Sequence, residues 1–138
     1  MKDRHQEERT APEAKVWRYA LSGGWQVIAG RSDRDNELVT FRLARPADLW
    51  FHVRGFAGSH VLLQGPAGEE PSREAVRQAA AVAAYHSKAR EAGRVPVACT
   101  MARHVSKPPG AKPGTVQIRK EKIVMVRPEL PEEETPGG

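Results

Sequence analysis

The chain has 138 residues, 39% of them hydrophobic and 28% charged, which fits one folded domain on the usual scale of ~100–200 residues. A single cysteine, Cys99, excludes an internal disulfide and a cysteine-based zinc cage, and no apolar run approaches the ~18 residues that span a membrane. With no signal-peptide pattern at its start, the expected location is the cytoplasm, without a membrane partner.

The formal net charge of +5 understates how basic the middle of the chain is. Residues 1–15 carry equal numbers of acids and bases and read as a flexible tail, and residues 128–138 form an acidic, Pro/Glu-rich tail with four glutamates and no base. Between them, residues 16–127 hold 18 basic and 9 acidic side chains, a net of +9. Such an excess favours polyanionic partners, because each phosphate contact releases counterions.

In chain order, Val16–Ala20 and Trp25–Ala29 flank Ser22-Gly23-Gly24, a β-hairpin signal. Ser32 or Asp33 can cap a short helix running to about Leu43, with Leu38, Phe41 and Leu43 as its apolar contacts. Leu49–Arg54 alternates, with Leu49, Phe51 and Val53 on one face and Trp50, His52 and Arg54 on the other. Gly55–Gly58 is a turn, and Ser59–Gln64 returns as a strand.

The longest helix is expected from Ser72, as N-cap, to about Glu91, ended by Gly93. Its many alanines imply close packing onto a sheet. Arg94–Thr100 reads as a buried strand, with Cys99 as an inert buried thiol and Pro96 arguing for an edge or first-residue position. Thr115–Arg119 and Lys122–Arg127 complete the set. The expected class is α+β: a mixed, mostly antiparallel sheet packed against one long and one short helix.

Two constellations carry candidate chemistry. In the first, Asp48, Trp50 and His52 share one face of a strand, with Arg54 beyond them and Ser59 and His60 after the turn. Trp50 offers a plane for a base or ribose, His52 a hydrogen-bonding ring and Arg54 a phosphate contact. The bland alternative makes Trp50 core and Asp48 a cap on the strand start. A four-residue turn at 55–58 puts His52 and His60 on opposite faces; a loop of three or five residues brings them together. Two histidines and an aspartate without a third ligand type make a weak metal site, and no nucleophile elbow or triad surrounds Ser59. No catalytic residue, metal or cofactor is assigned.

In the second constellation, Lys107-Pro108-Pro109-Gly110-Ala111-Lys112-Pro113-Gly114 forbids a helix or a central strand and forms a basic loop of limited flexibility. Such a loop meets a phosphate backbone at a lower ordering cost than a glycine-rich one.

Taken together, Gly30–Thr40, Asp48–Arg54, Gly58–Val61, Ala83–Arg90 and Lys107–Gly114 resemble, in this order, the RNA-binding domain of the NFACT family. That is the domain found in ribosome-associated quality-control factors that rescue stalled large subunits. The likeness covers roughly 16–127 and implies an α+β RNA-binding domain whose ligand is tRNA or large-subunit ribosomal RNA. It implies surface, RNA-binding roles for Asp48, Trp50, His52, Ser59, His60, Lys107 and Lys112; the basic side chains of Arg31, Arg54 and Lys88 join the two lysines as expected phosphate contacts. Full-length members carry further domains, so the resemblance points to the free-standing bacterial form, linked to translation, ribosome quality control or tRNA modification. The family's usual asparagine after Gly-Arg is Ser32 here. Two other readings stand beside it: an RNA-metabolism enzyme with an Asp/His acid–base site, and a module docking on the ribosome or a protein.

Overall fold

The computed structural model describes residues 13–131. The first hairpin forms as expected: β1 (Val16–Ala20) and β2 (Gln26–Gly30) pair antiparallel, with Val16 opposite Gly30. Next comes α1 (Asp33–Leu38), prolonged by a π-turn at Val39–Leu43. Ser32 is its N-cap and accepts from the Asp35 amide at 3.1 Å, so the family's missing asparagine is replaced by another good cap. Of the expected apolar contacts, Leu43 packs against the second core, but the buried side of this segment is Asp35, Asn36, Val39 and Thr40. Phe41 is exposed, because the segment packs through polar groups that serve neighbouring loops.

The remaining strands are β3 (Leu49–Val53), β4 (Val61–Gln64), β5 (Val95–Met101), the short pair β6 (Val105–Ser106) and β7 (Gln117–Ile118), and β8 (Lys122–Val126). Six of them form one sheet in the order β1-β2-β4-β3-β5-β8, every adjacent pair antiparallel. The fold is therefore α+β around a mostly antiparallel sheet. Strand β5 is internal despite Pro96, which sits at the strand's start. There β3 is ending, and the Pro96 carbonyl accepts from the Arg54 amide at 2.9 Å.

The long helix is a correction. α2 spans Arg73–Tyr85, 13 residues, and ends well short of Glu91. Its start matches the sequence, with Ser72 accepting from the Ala75 amide at 3.0 Å. Beyond Tyr85 the chain leaves the helix because its backbone is claimed by the β3–β4 loop. The Ser59 amide donates to the His86 carbonyl, and the Lys88 amide to the Ala57 carbonyl, both at 2.9 Å. Ser87 Oγ donates to the Ala84 carbonyl at 2.7 Å and closes the helix end.

Both faces of the sheet are covered. Phe51, Val53, Val61, Leu63, Val97 and Cys99 pack under the alanines of α2. Residues 79–84 of α2 are all buried, because the chain near Glu129 crosses its outer side: the Glu129 amide donates to the Ala81 carbonyl at 3.3 Å, and Leu130 packs on this core. The first residues of the segment read as an acidic tail thus lie on the domain; most of that tail and residues 1–12 fall outside the described residues. On the other face, Ile28, Val39, Trp50, Leu62 and Val105 form a second core, flanked by Val116 and Ile118.

Candidate nucleic-acid interface

The ten residues singled out from the sequence divide between four places. Arg31, Ser59 and Lys88 line one groove; Trp50, His52, Arg54 and His60 surround a second; Asp48 lies at the far end of β3. Lys107 and Lys112 are exposed on the proline-rich loop.

Four of these residues are corrections to a surface role. Trp50 is 1% exposed, His60 3%, Ser59 6% and Asp48 8%. Asp48 accepts from the Arg45 amide at 2.8 Å and from Gln64 Nε2 at 2.7 Å, which makes it the fastening at the start of β3. Ser59 Oγ donates to the Gly30 carbonyl at 2.6 Å and ties the β3–β4 loop to β2.

Trp50 and His60 belong to a buried chain of hydrogen bonds. Trp50 Nε1 donates to Thr40 Oγ1 at 3.0 Å, and Thr40 Oγ1 lies 2.8 Å from His60 Nδ1. Phe51 pairs with Val61, so the register sets His52 opposite His60, with an odd-numbered connection and both rings on one face. Their centroids are 5.4 Å apart, edge to face. Burial, then the neighbouring His52, pushes the His60 pKa down to about 4, so the ring is neutral at pH 7. Burial likewise lowers that of His52. Asp48 does not converge with these rings, and among the described residues no three His, Cys, Asp or Glu side chains are placed to hold a metal.

The proline-rich loop is clasped rather than free. Glu37 on α1 accepts from Lys107 Nζ and from the Gly114 amide, both at 2.8 Å, so one carboxylate grips both ends of it. Those contacts hold the Glu37 carboxyl below its usual range against the opposing effect of burial. Gly110 and Gly114 take the positive φ values, 74° and 88°, that the two turns need. Lys107 is thereby ion-paired, as is Arg54, whose Nη1 is 3.8 Å from Glu121.

The first groove is built differently. Its volume is about 380 Å³, and three segments meet there: the β1–β2 edge leading into α1, the β3–β4 loop and the turn after α2. Gly58 makes the meeting possible. It bridges to Ser87 so closely that a Cβ on it would come within 2.6 Å of the Ser87 Cβ. Trp17 and His86 stack face to face with centroids 3.9 Å apart and planes 4° from parallel. Tyr19 Oη is 2.7 Å from His86 Nε2. Burial and the nearby Arg90 and Arg31 charges push the His86 pKa down to about 4.

Arg31 lies over the Trp17 ring at 4.9 Å, and Arg90 over Tyr85 at 4.0 Å. Among the described residues neither these arginines nor Lys88 has a carboxylate within ion-pair distance, and Asp33 is the only acid lining the groove. The sequence reading named Arg31 and Lys88 here but missed Trp17, His86 and Arg90. Trp17 read as an ordinary strand residue, and the other two as a helix face and a helix end. Trp17 and His86 meet only in the tertiary structure, where the turn after α2 lies against β1.

The profile of the NFACT protein RNA binding domain matches residues 15–120. The chain is 40% identical over 111 residues to the Rqc2 homolog RqcH of Bacillus subtilis, covering 80% of this chain and 19% of that protein. It is 38% identical over 131 residues to the Rqc2 homolog RqcH of Streptococcus suis, covering 93% and 23%. The chain thus spans about a fifth of the length of these relatives. Among solved structures, the C-terminal part of the fibronectin/fibrinogen-binding protein from Streptococcus suis superposes with a TM-score of 0.77 at 35% identity, covering 86% of this chain and 46% of that one. With the groove and every strand but β8 inside the matched region, the chain belongs to the NFACT protein RNA binding domain family.

Proposed function

We propose that this chain binds structured RNA, tRNA or large-subunit ribosomal RNA, through the face that carries the Trp17–His86 groove, and that it does so in the cytoplasm in translation or ribosome quality control. One observation carries the reading: Arg31, Lys88 and Arg90 surround a stacked aromatic pair with no carboxylate close enough to neutralise them among the described residues. Unpaired cations beside an aromatic plane are what a phosphate backbone and an unpaired base require. The family's description and the names of the RqcH relatives support RNA and the ribosome as the setting. The exposed Lys112 extends the basic face, while Lys107 and Arg54 contribute after exchanging a carboxylate for a phosphate.

Recognition rests on shape more than on base sequence, because side chains cannot read the deep, narrow major groove of A-form RNA. The test is a fluorescence-anisotropy titration of labelled tRNA and of a large-subunit rRNA fragment over a salt series. Specific affinity for one of them, reduced about tenfold or more in Lys88→Glu/Arg90→Glu, is the expected result. Equal, weak binding by wild type and variant would remove this surface. The name of the Streptococcus suis structure favours a second reading, a protein-docking module. Ribosome association that survives nuclease treatment of the bound RNA would move that reading first.

A further inference from the structure

We infer that the Trp17–His86 groove is a pocket for a single unpaired nucleotide, with the base stacked on the open face of Trp17 and its phosphate held by Arg31 and Lys88. This rests on the RNA-binding reading and narrows it from RNA in general to a nucleotide outside a helix.

Size and shape point that way. A concave space of about 380 Å³ matches one nucleotide, whereas a duplex presents a broad convex surface to a protein. The stacking column is already half assembled. His86 fills one face of the Trp17 indole and is itself fixed through Tyr19 Oη, so the indole cannot turn away. The Arg31 guanidinium, on an exposed side chain, also lies over the ring, 4.9 Å from its centroid. An incoming base replaces the guanidinium on the ring, and the guanidinium swings to the phosphate.

Asn36 supplies an independent sign. It is 6% exposed and lines the groove. Its Oδ1 accepts from the His60 amide at 3.0 Å, which fixes which side-chain atom is oxygen and which is nitrogen. The nitrogen has no acceptor among the described residues, and a buried amide donor without a partner is uncommon in folded proteins. A carbonyl of a base or a ribose hydroxyl satisfies it. The groove's serines are already committed, Ser59 to the Gly30 carbonyl and Ser87 to the Ala84 carbonyl. With one free donor and an aromatic plane, the pocket accepts several bases and distinguishes unpaired from paired.

The experiment compares a single-stranded oligouridylate with a blunt RNA duplex carrying the same number of phosphates, following tryptophan fluorescence. The single strand is expected to bind more tightly and to quench the signal, with the quench abolished in Trp17→Phe because Trp25 and Trp50 remain. Trp17→Leu should weaken single-strand binding about tenfold or more, and Trp17→Phe, which keeps a ring, should recover part of it. Asn36→Asp keeps the acceptor for His60 and removes the donor; it should also weaken the strand and leave the duplex unchanged. Strand and duplex bound equally, with no quench, would overturn the nucleotide pocket and leave RNA binding by the basic face standing. Failure of the strand, the duplex and tRNA alike would overturn both.

Discussion

Two places in this fold put a tryptophan against histidines beside basic residues, and only one of them is open. Around Trp17 the cations have no carboxylate partner among the described residues and the ring is only partly buried; around Trp50 the ring is 1% exposed and its N–H is spent on Thr40. What separates them is the cover. The Trp50 side of the sheet is roofed by α1, β6–β7 and a proline-rich loop that Glu37 holds down. The Trp17 side is left as a groove where three segments meet. The same residue types thus form a structural post in one place and line an open groove, the proposed ligand surface, in the other, decided by packing and not by chemistry.

The contrast breaks first, if it breaks, on stability. Trp50→Ala should cost about 3–5 kcal/mol in urea unfolding, the usual range for a fully buried aromatic. Trp17→Ala should cost less than half of that, its ring being only partly buried. Equal costs would mean that the two sites do not differ as described.

A pH series gives the next largest effect. The folded-state pKa of His60 is depressed from 6.5 to about 4, so its contribution is fully present above pH 6.5. As the pH falls from 6.5 towards 4 the unfolded chain takes up a proton that the folded chain refuses, and up to about 3 kcal/mol of stability is lost. His60→Gln should reduce the slope in that window, leaving the part that His86 and His52 contribute. An unchanged slope would place the proton uptake elsewhere, at His52 or His86.

The loop clasp is a smaller term. Glu37→Gln loses the ion pair with Lys107 and weakens the bond to the Gly114 amide, at a cost of about 1–2 kcal/mol. Its clearest sign should be faster hydrogen exchange at the Gly114 amide, which donates to Glu37, under native conditions. Smallest in stability is Lys88→Glu, which should leave the unfolding midpoint unchanged while the slope of log affinity against log salt falls by roughly 0.7–0.9. A shifted midpoint would show that Lys88 serves the fold.

Much of the frame is legible in the residues themselves. Ser22-Gly23-Gly24 marks the first hairpin, Ser32 and Ser72 cap the two helices, and the alternation of Leu49–Val53 gives the core-facing side of β3. These are local signals with a local cause. The end of α2 is not local: the helix pattern runs past Tyr85, and only the backbone bonds to Ala57 and Ser59 stop it. The burial of Trp50 depends on residues as far along the chain as Val105, and the groove on a glycine–serine contact from two loops. Alternation alone cannot tell an outward face from one roofed by a later segment. For that reason, the expected platform at Trp50 and the proposed one at Trp17 could not be told apart from strand patterns.

The most direct measurement is a two-dimensional ¹H–¹⁵N spectrum of the three tryptophan indole N–H groups during titration with tRNA. The account predicts that the Trp17 indole signal shifts or broadens as RNA is added, while those of Trp25 and Trp50 stay in place. Movement of the Trp50 signal with Trp17 unaffected would contradict it, and would return the RNA surface to the β3 face.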